Sequence, residues 1–278
     1  MMGTPMVRCL ARAGYKLALK DANDEVTQAL CAELGAHAVD ADMASDLDLL
    51  ITMLPNSDIV DAVLLKDGWA GRLSRGATVI DMSSSIPTRS RALAETLEET
   101  GVRYLDAPVS GGVKRATDGT LAILVGGDAE LLETWRGVLE TMGDSVLHIG
   151  PAGSGHAAKA LNNFVSASGL MATVEALHVA KRFGIAPEAM TRVLNASSGQ
   201  TNTSRNKVEQ FMLSGTFGSG FSLKLMDKDL GIARDLAASV SYPLQFGEHG
   251  IDHWHRIAEG VDPATDHTEI YTLMGRED

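Results

Sequence analysis

Short apolar runs alternate with helix-length segments through the first half of the chain, and then the alternation stops. The runs cover 17–20, 49–54, 78–82, 102–105, 121–125 and 146–149, and turn residues bound them, among them Pro55-Asn56, Gly76, Gly101, Gly119, Gly126-Gly127 and Gly150-Pro151. They are apolar throughout rather than at alternate positions, which predicts strands covered on both faces. Strands interleaved with helices predict a parallel, doubly wound α/β sheet. Beyond Gly150 the pattern changes. Gly153-Ser154-Gly155 leads into a helix over about 156–183, with Gly184 as its stop. Pro187 suits the first turn of the next helix. A polar stretch, 197–206, interrupts, and further helices are expected over about 223–238 and 246–259. The pattern divides the chain into an α/β domain, 1–152, and an all-α domain, 153–278.

Composition agrees with two globular domains. The chain has 278 residues, 45% apolar and 22% charged, so it can bury a core of useful size. Lys and Arg total 24 against 36 Asp and Glu, a net charge of −12 with no basic block. Nucleic acid is therefore not an expected partner. The longest apolar-rich run, 157–180, carries Lys159, Asn162, Asn163 and Glu175, which argues against a membrane span. Glu175 reads as a structural ion-pair partner. Two cysteines, Cys9 and Cys31, make neither a disulfide framework nor a zinc site, and a reducing cytoplasm is the default location. The histidines are not read as a metal-ligand set, and no metal is assigned.

The start is abrupt. Met1-Met2-Gly3-Thr4-Pro5-Met6 runs straight into a helix pattern, and Asp21 follows the first strand, 18 residues after Gly3. A dinucleotide-binding unit places an acidic residue for the ribose hydroxyls about 20 residues beyond a Gly-rich turn. On that reading Gly3 is the third glycine of G-x-G-x-x-G, which lets the helix pack closely on the sheet. A surface aspartate after an ordinary strand gives the same local sequence. Asp21 is followed by Ala22-Asn23, with no arginine where a 2′-phosphate would sit, and Lys20 should point to the other face; NAD is favoured, with NADP possible. Met53-Leu54-Pro55-Asn56 and Asp81-Met82-Ser83-Ser84 both fall at carboxyl ends of predicted strands, where ligands of open α/β sheets bind.

Asp106-Ala-Pro-Val-Ser110-Gly111-Gly112 reads as a loop after a strand, with uncovered N–H groups able to take a carboxylate. Lys159 falls in the first turn of the long predicted helix, where the helix end favours release of its proton. Asn162 and Asn163, at i+3 and i+4, share its face. A partly desolvated lysine beside two amides is equipped for general acid/base work. Lys228-Asp229, by itself, reads as a solvated helix face.

Together these residues resemble the β-hydroxyacid dehydrogenases, a family that includes 3-hydroxyisobutyrate dehydrogenase and tartronate semialdehyde reductase. The resemblance covers nearly the whole chain. It rests most on Asp106-Ala-Pro-Val-Ser-Gly-Gly112 and on Gly153-Ser-Gly155 with Lys159 and Asn163. Gly3-Thr-Pro-Met6, Ile51-Thr-Met-Leu-Pro-Asn56, Asp81-Met-Ser-Ser84, Gly119-Thr-Leu and Lys228-Asp229 support it. It implies a Rossmann domain plus a helical domain, assembled as dimers or tetramers, and an NAD(P)-dependent oxidoreductase of small 3-hydroxy acids. Lys159 would be the catalytic lysine. Ser110, Gly111, Gly112, Asn162 and Asn163 would hold substrate, with Lys228 near both substrate and nicotinamide. Gly3, Asp21, Met53, Leu54, Pro55, Ser83 and Ser84 would serve the cofactor.

Three departures stand out. The first strand and two phosphate-loop glycines are missing, which predicts a start about ten residues further upstream, with an apolar strand and G-x-G. His156 stands where many members have Gln. The stretch 197–207, with Asn202, Arg205, Asn206 and Lys207, suggests a polar or acidic substrate. An imine reductase of the same fold and a non-catalytic truncated relative are the alternative readings.

Overall fold

The structure is a computed structural model describing residues 2–275. Met1 of the abrupt start and the end of the expected helical domain lie outside the described residues. The chain divides into two units, Met1–Lys159 and Ala160–Asp278.

The first unit holds the strands β1 (Ala18–Leu19), β2 (His37–Ala38), β3 (Leu49–Thr52), β4 (Thr78–Asp81), β5 (Arg103–Asp106), β6 (Val109–Ser110), β7 (Ala122–Gly127) and β8 (Ser145–Gly150). Between them lie α1 (Gly3–Arg12), α2 (Asp24–Leu34), α3 (Ser57–Asp61), α4 (Trp69–Arg72), α5 (Pro87–Thr100), α6 (Gly112–Asp118) and α7 (Ala129–Glu140). Each of the six apolar runs forms a strand. The two that the pattern misses, β2 and β6, have two residues each, and both residues of β2 are exposed.

The main sheet has the order β3-β4-β5-β7-β6, with β8 also on β7. It is mixed, which corrects the expectation of a wholly parallel sheet. β3, β4 and β5 are parallel, but β7 runs antiparallel to both β5 and β6. A parallel return needs a crossover of a dozen or more residues, and only the short α6 separates β6 from β7. The expected loop after Asp106 contains the two-residue strand β6. Leu105↔Gly127 and Ser110↔Ala122 belong to one antiparallel register, broken only around Ala107-Pro108.

β1 and β2 form a separate two-stranded parallel sheet, and β1 makes no ladder with β3. Leu17, Leu49 and Ile51 nevertheless pack on one core with Met6, Ile80, Leu105 and Ile123. Val60, Leu64, Val79, Leu93 and Leu97 form a second core. Val79 and Ile80 thus reach different cores, as successive strand residues do. The close-packing role expected of Gly3 is not seen: a Cβ there meets nothing within 4 Å. Gly155 and Gly126 do take such a role. α8 (Ser154–Phe183) starts at the end of β7, and a Cβ at Gly155 would run into the Leu124 carbonyl and the Asp106 carboxylate. A Cβ at Gly126 would lie 2.8 Å from the Gly155 nitrogen.

The second unit is helical, as expected: the rest of α8, then α9 (Pro187–Asn195), α10 (Asn202–Asn206), α11 (Leu223–Ser239), α12 (Gly247–Glu259) and α13 (Ile270–Leu273). Leu170, Val174, Leu177, Met226, Leu230, Ile251, Trp254 and Ile270 form its core. Among the described residues no helix is long and apolar enough to cross a membrane. Lys207, one of the residues from which a polar or acidic substrate is expected, is engaged within this unit. Its Nζ lies 2.9 Å from His267 Nε2, and His267 Nδ1 lies 2.9 Å from the Phe221 carbonyl and 3.0 Å from Ser219 Oγ. A carbonyl only accepts, so Nδ1 carries the hydrogen and Nε2 accepts from the lysine. Burial, then the Lys207 charge, pushes His267 down to about 4. Burial pulls Lys207 down to about 8.

Two predictions follow from these contacts. Gly155→Ala should cost about 1–3 kcal/mol of stability, as overpacking does, read as a lower urea midpoint. Gly71→Ala, whose Cβ meets open space in α4, should be neutral or stabilising. The second concerns pH. Between about 4 and the ordinary 6.5, unfolded His267 holds a proton that the folded chain lacks, so stability is present above that window and falls as pH drops through it. The loss is on the order of 3 kcal/mol. In acid-denaturation curves His267→Gln, though less stable overall, should lose that slope, and an unchanged slope would contradict the assignment.

Candidate active site

β4 and β5 end in aspartates that pair in register, Asp81↔Asp106, and both are fully buried. Buried carboxylates persist only when hydrogen-bonded. Asp81 accepts from Thr52 Oγ1 at 2.8 Å, the Ser83 N–H at 3.0 Å and Ser85 Oγ at 2.9 Å. Asp106 accepts from the Gly153 N–H at 2.7 Å and the His156 N–H at 2.9 Å. It thereby holds the chain entering α8 at the carboxyl end of β5. Burial, followed by the charges of Asp81 and Asp106, raises the Tyr104 phenol well above its ordinary range.

The expected cofactor turns meet here. The Leu54 N–H donates to Ser83 Oγ at 2.8 Å, tying the Met53-Leu54-Pro55 turn to the end of β4. Ser83 is buried, so its hydroxyl shapes the turn; Ser84 is the more accessible of the pair, and Pro55 is exposed. Asn56 caps α3, accepting from the Ile59 N–H at 3.1 Å. Asp21 stands exposed just beyond β1, oriented by an N–H bond from Asn23 at 2.9 Å. Lys20 turns to Asp24, 3.0 Å away. An exposed carboxylate without an adjacent free lysine fits the ribose diol of NAD. Open space at Gly3, the first residue of α1, fits a phosphate group at a helix N-terminus. These residues suit a dinucleotide, and the Met53–Pro55 and Ser83–Ser84 turns follow the carboxyl ends of β3 and β4.

Ser110 ends β6. Gly111 and Gly112 take φ of 133° and 70°, which side chains rarely adopt, and a Cβ at Gly111 would also strike the Arg115 side chain. Lys159 is half-buried. α8 begins at Ser154, two residues earlier than expected, so Lys159 lies in its second turn, where the helix-end field has weakened. Asn162 and Asn163 follow on the same helix; Asn162 is exposed and donates to Asn163 Oδ1 at 3.3 Å. In the second unit, Asn163 Nδ2 donates to Asp229 Oδ2 at 2.6 Å, and Lys228 Nζ lies 3.3 Å from Asp229 Oδ1. Asp229 is buried, so the first reading of Lys228-Asp229 as a solvated face is corrected. Glu175, expected in an ion pair, lies on the exposed side of α8.

Sequence reasoning passed over the roles of Asp81, Asp106, Asp229, Ser90 and His156. The available signal was acidic residues at the ends of two apolar strands, but their shared register needs the pairing itself.

A family model for the NAD-binding domain of 6-phosphogluconate dehydrogenase matches residues 1–150, and one described as NAD-binding of NADP-dependent 3-hydroxyisobutyrate dehydrogenase matches 153–274. The chain is 36% identical to 2-(hydroxymethyl)glutarate dehydrogenase of Eubacterium barkeri over 87% of this chain and 81% of that protein. It is also 36% identical to an NAD-dependent L-serine dehydrogenase of Pseudomonas aeruginosa, over 86% and 84% of the two chains. Among solved structures, Mycobacterium tuberculosis 3-hydroxyisobutyrate dehydrogenase with L-serine superposes with a TM-score of 0.92 at 30% identity, covering 99% of this chain and 96% of that one. With its Rossmann-like unit, its helical unit and Lys159 on the helix that Asp106 holds, the chain belongs to the β-hydroxyacid dehydrogenase family, NAD(P)-dependent oxidoreductases of the CH–OH group.

Proposed function

We propose that the protein interconverts a small 3-hydroxy acid and its semialdehyde, with NAD as the favoured cofactor, NADP as the alternative, and Lys159 as general acid/base. The observation that carries the reading is Lys159 itself, on a helix whose start Asp106 fixes at the carboxyl end of β5. Lys159 also weighs against an imine reductase. The relatives act, by name, on 2-(hydroxymethyl)glutarate, L-serine and 3-hydroxyisobutyrate. All three are 3-hydroxypropanoates that differ in the group on carbon 2. The proposed substrate class is that shared core.

The chain's own groups divide the work. Backbone N–H groups around Ser110, Gly111 and Gly112 hold the substrate carboxylate. Asn163, its amide fixed by Asp229, orients the hydroxyl with Asn162, and Lys228 adds positive charge. The Lys159 amine takes the hydroxyl proton during oxidation and returns it during reduction. Gly3, Asp21, Met53, Leu54, Pro55 and Ser84 hold the cofactor, with buried Ser83 shaping the turn that presents them, and Asp21 favours NAD through the ribose hydroxyls. Bound nicotinamide supplies the hydride acceptor. Leu161, Val165, Val179 and Phe183 form an exposed apolar stripe along α8, which supports assembly as a homodimer or homotetramer. A cytoplasmic location remains part of the reading.

The test is nicotinamide reduction followed with the three named acids, each with NAD and NADP. Lys159→Ala should lower kcat by about 10²–10⁴-fold with a smaller change in KM. Unchanged turnover would remove the lysine role, and preference for NADP would overturn the reading of Asp21. In sedimentation the active protein should run as a dimer or tetramer; a purely monomeric active species would contradict the assembly.

A further inference from the structure

His156 is the residue through which the cofactor-side turns reach the helix that carries Lys159. Its side chain is fully buried. Nε2 lies 3.2 Å from the Ser83 carbonyl, which only accepts, so this nitrogen carries a hydrogen. Nδ1 lies 2.8 Å from Ser90 Oγ on α5. The ring also stands 3.6 Å from Asp106 Oδ2 and 3.9 Å from Asp81 Oδ2. Its own backbone N–H is held by Asp106 at 2.9 Å. A continuous hydrogen-bonded path therefore runs from the Leu54 N–H to Ser83, from the Ser83 carbonyl to the His156 ring, and so into α8.

We propose that His156 is a positioning residue for Lys159: by bonding Ser83 and Ser90 it fixes the rotation of the first turns of α8, and with it the direction of the amine three residues on. The role rests on the proposed function of Lys159. An amine about 6 Å from the helix axis moves about 1 Å when the helix turns by about 10°. A misplacement of that size is enough to cost on the order of a hundredfold in rate. A Gln at this position retains an N–H for the Ser83 carbonyl, whereas a Leu fills space without one.

The experiment compares His156→Leu with His156→Gln. Steady-state kinetics and pH–rate profiles are read beside thermal melting. The resonance of ¹³C-dimethylated Lys159, assigned with Lys159→Arg, is followed through a pH titration. His156→Leu should lower kcat on the order of tenfold to a hundredfold with little change in KM, and displace the pH profile. His156→Gln should restore most of the rate and the wild-type profile. Wild-type kcat and profile in His156→Leu, or equal losses in both variants that track melting temperature, would overturn the proposal. If the wild type oxidises none of the acids, the functional reading fails separately. The Lys159 resonance then decides the positioning role: displaced in Leu and superposed in Gln supports it, and identical titrations in all three overturn it. Should the Leu variant fail to fold, Ser90→Ala, which removes the Nδ1 partner together with the Ser90 contacts to the Ile86 carbonyl and the Tyr104 phenol, is read by the same criteria, with Tyr104→Phe as the control for the last.

Discussion

The carboxylate of Asp106 accepts the N–H groups of Gly153 and His156, and the rest of the first unit is arranged around that bond pair. A carboxylate with no exposure is costly to bury unless donors replace the water it loses. The residues at the start of α8 are suitable donors because the first N–H groups of a helix have no partner within it. One charge thus satisfies a helix end and is satisfied by it. The bond requires the backbone of α8 to come within contact of β7, which is why Gly126 and Gly155 have no space for a side chain. The antiparallel return of β7 beside β5 brings Gly126 opposite Asp106, and the start of α8 brings Gly155 against both. Lys159 follows one turn later, so its place is set by strand ends rather than by a loop.

The second unit repeats the logic. Asp229 is buried on α11 and holds the Asn163 amide on α8, with the Lys228 ammonium beside it. In each unit a buried acid fixes groups that sequence reading would treat as free surface polar residues. Ser83 and His156 extend the same principle: their buried polar atoms connect turns that are distant in sequence. Fully satisfied networks of this kind rigidify a site, and a rigid site is what proton and hydride transfer require.

Much of this was legible in the sequence. The six apolar runs located the longer strands, Gly184 and Pro187 punctuated the helices, and the Asp106–Gly112 and Gly153–Asn163 segments carried the family resemblance. The direction of β7 was not legible, because apolar runs of equal character form parallel or antiparallel ladders; the brevity of the segment between Ser110 and Ala122 held the answer. The burial of Asp229 was hidden by a sequence that reads equally as a solvated helix face. The pairing of Lys207 with His267, 60 residues away, was not legible either. Gly3 matched a spacing, but spacing does not reveal what a helix packs against.

The most direct test of the account is native-state hydrogen exchange of the Gly153 and His156 amides. If Asp106 holds α8 to the sheet, both should exchange only through the opening that exposes β5 and β7, with protection close to that of Leu105 and Ile123. Exchange of these two amides at the rate of exposed turns, while the strand amides stay protected, would show that the helix start is not held by Asp106, and the explanation for the placement of Lys159 would fail.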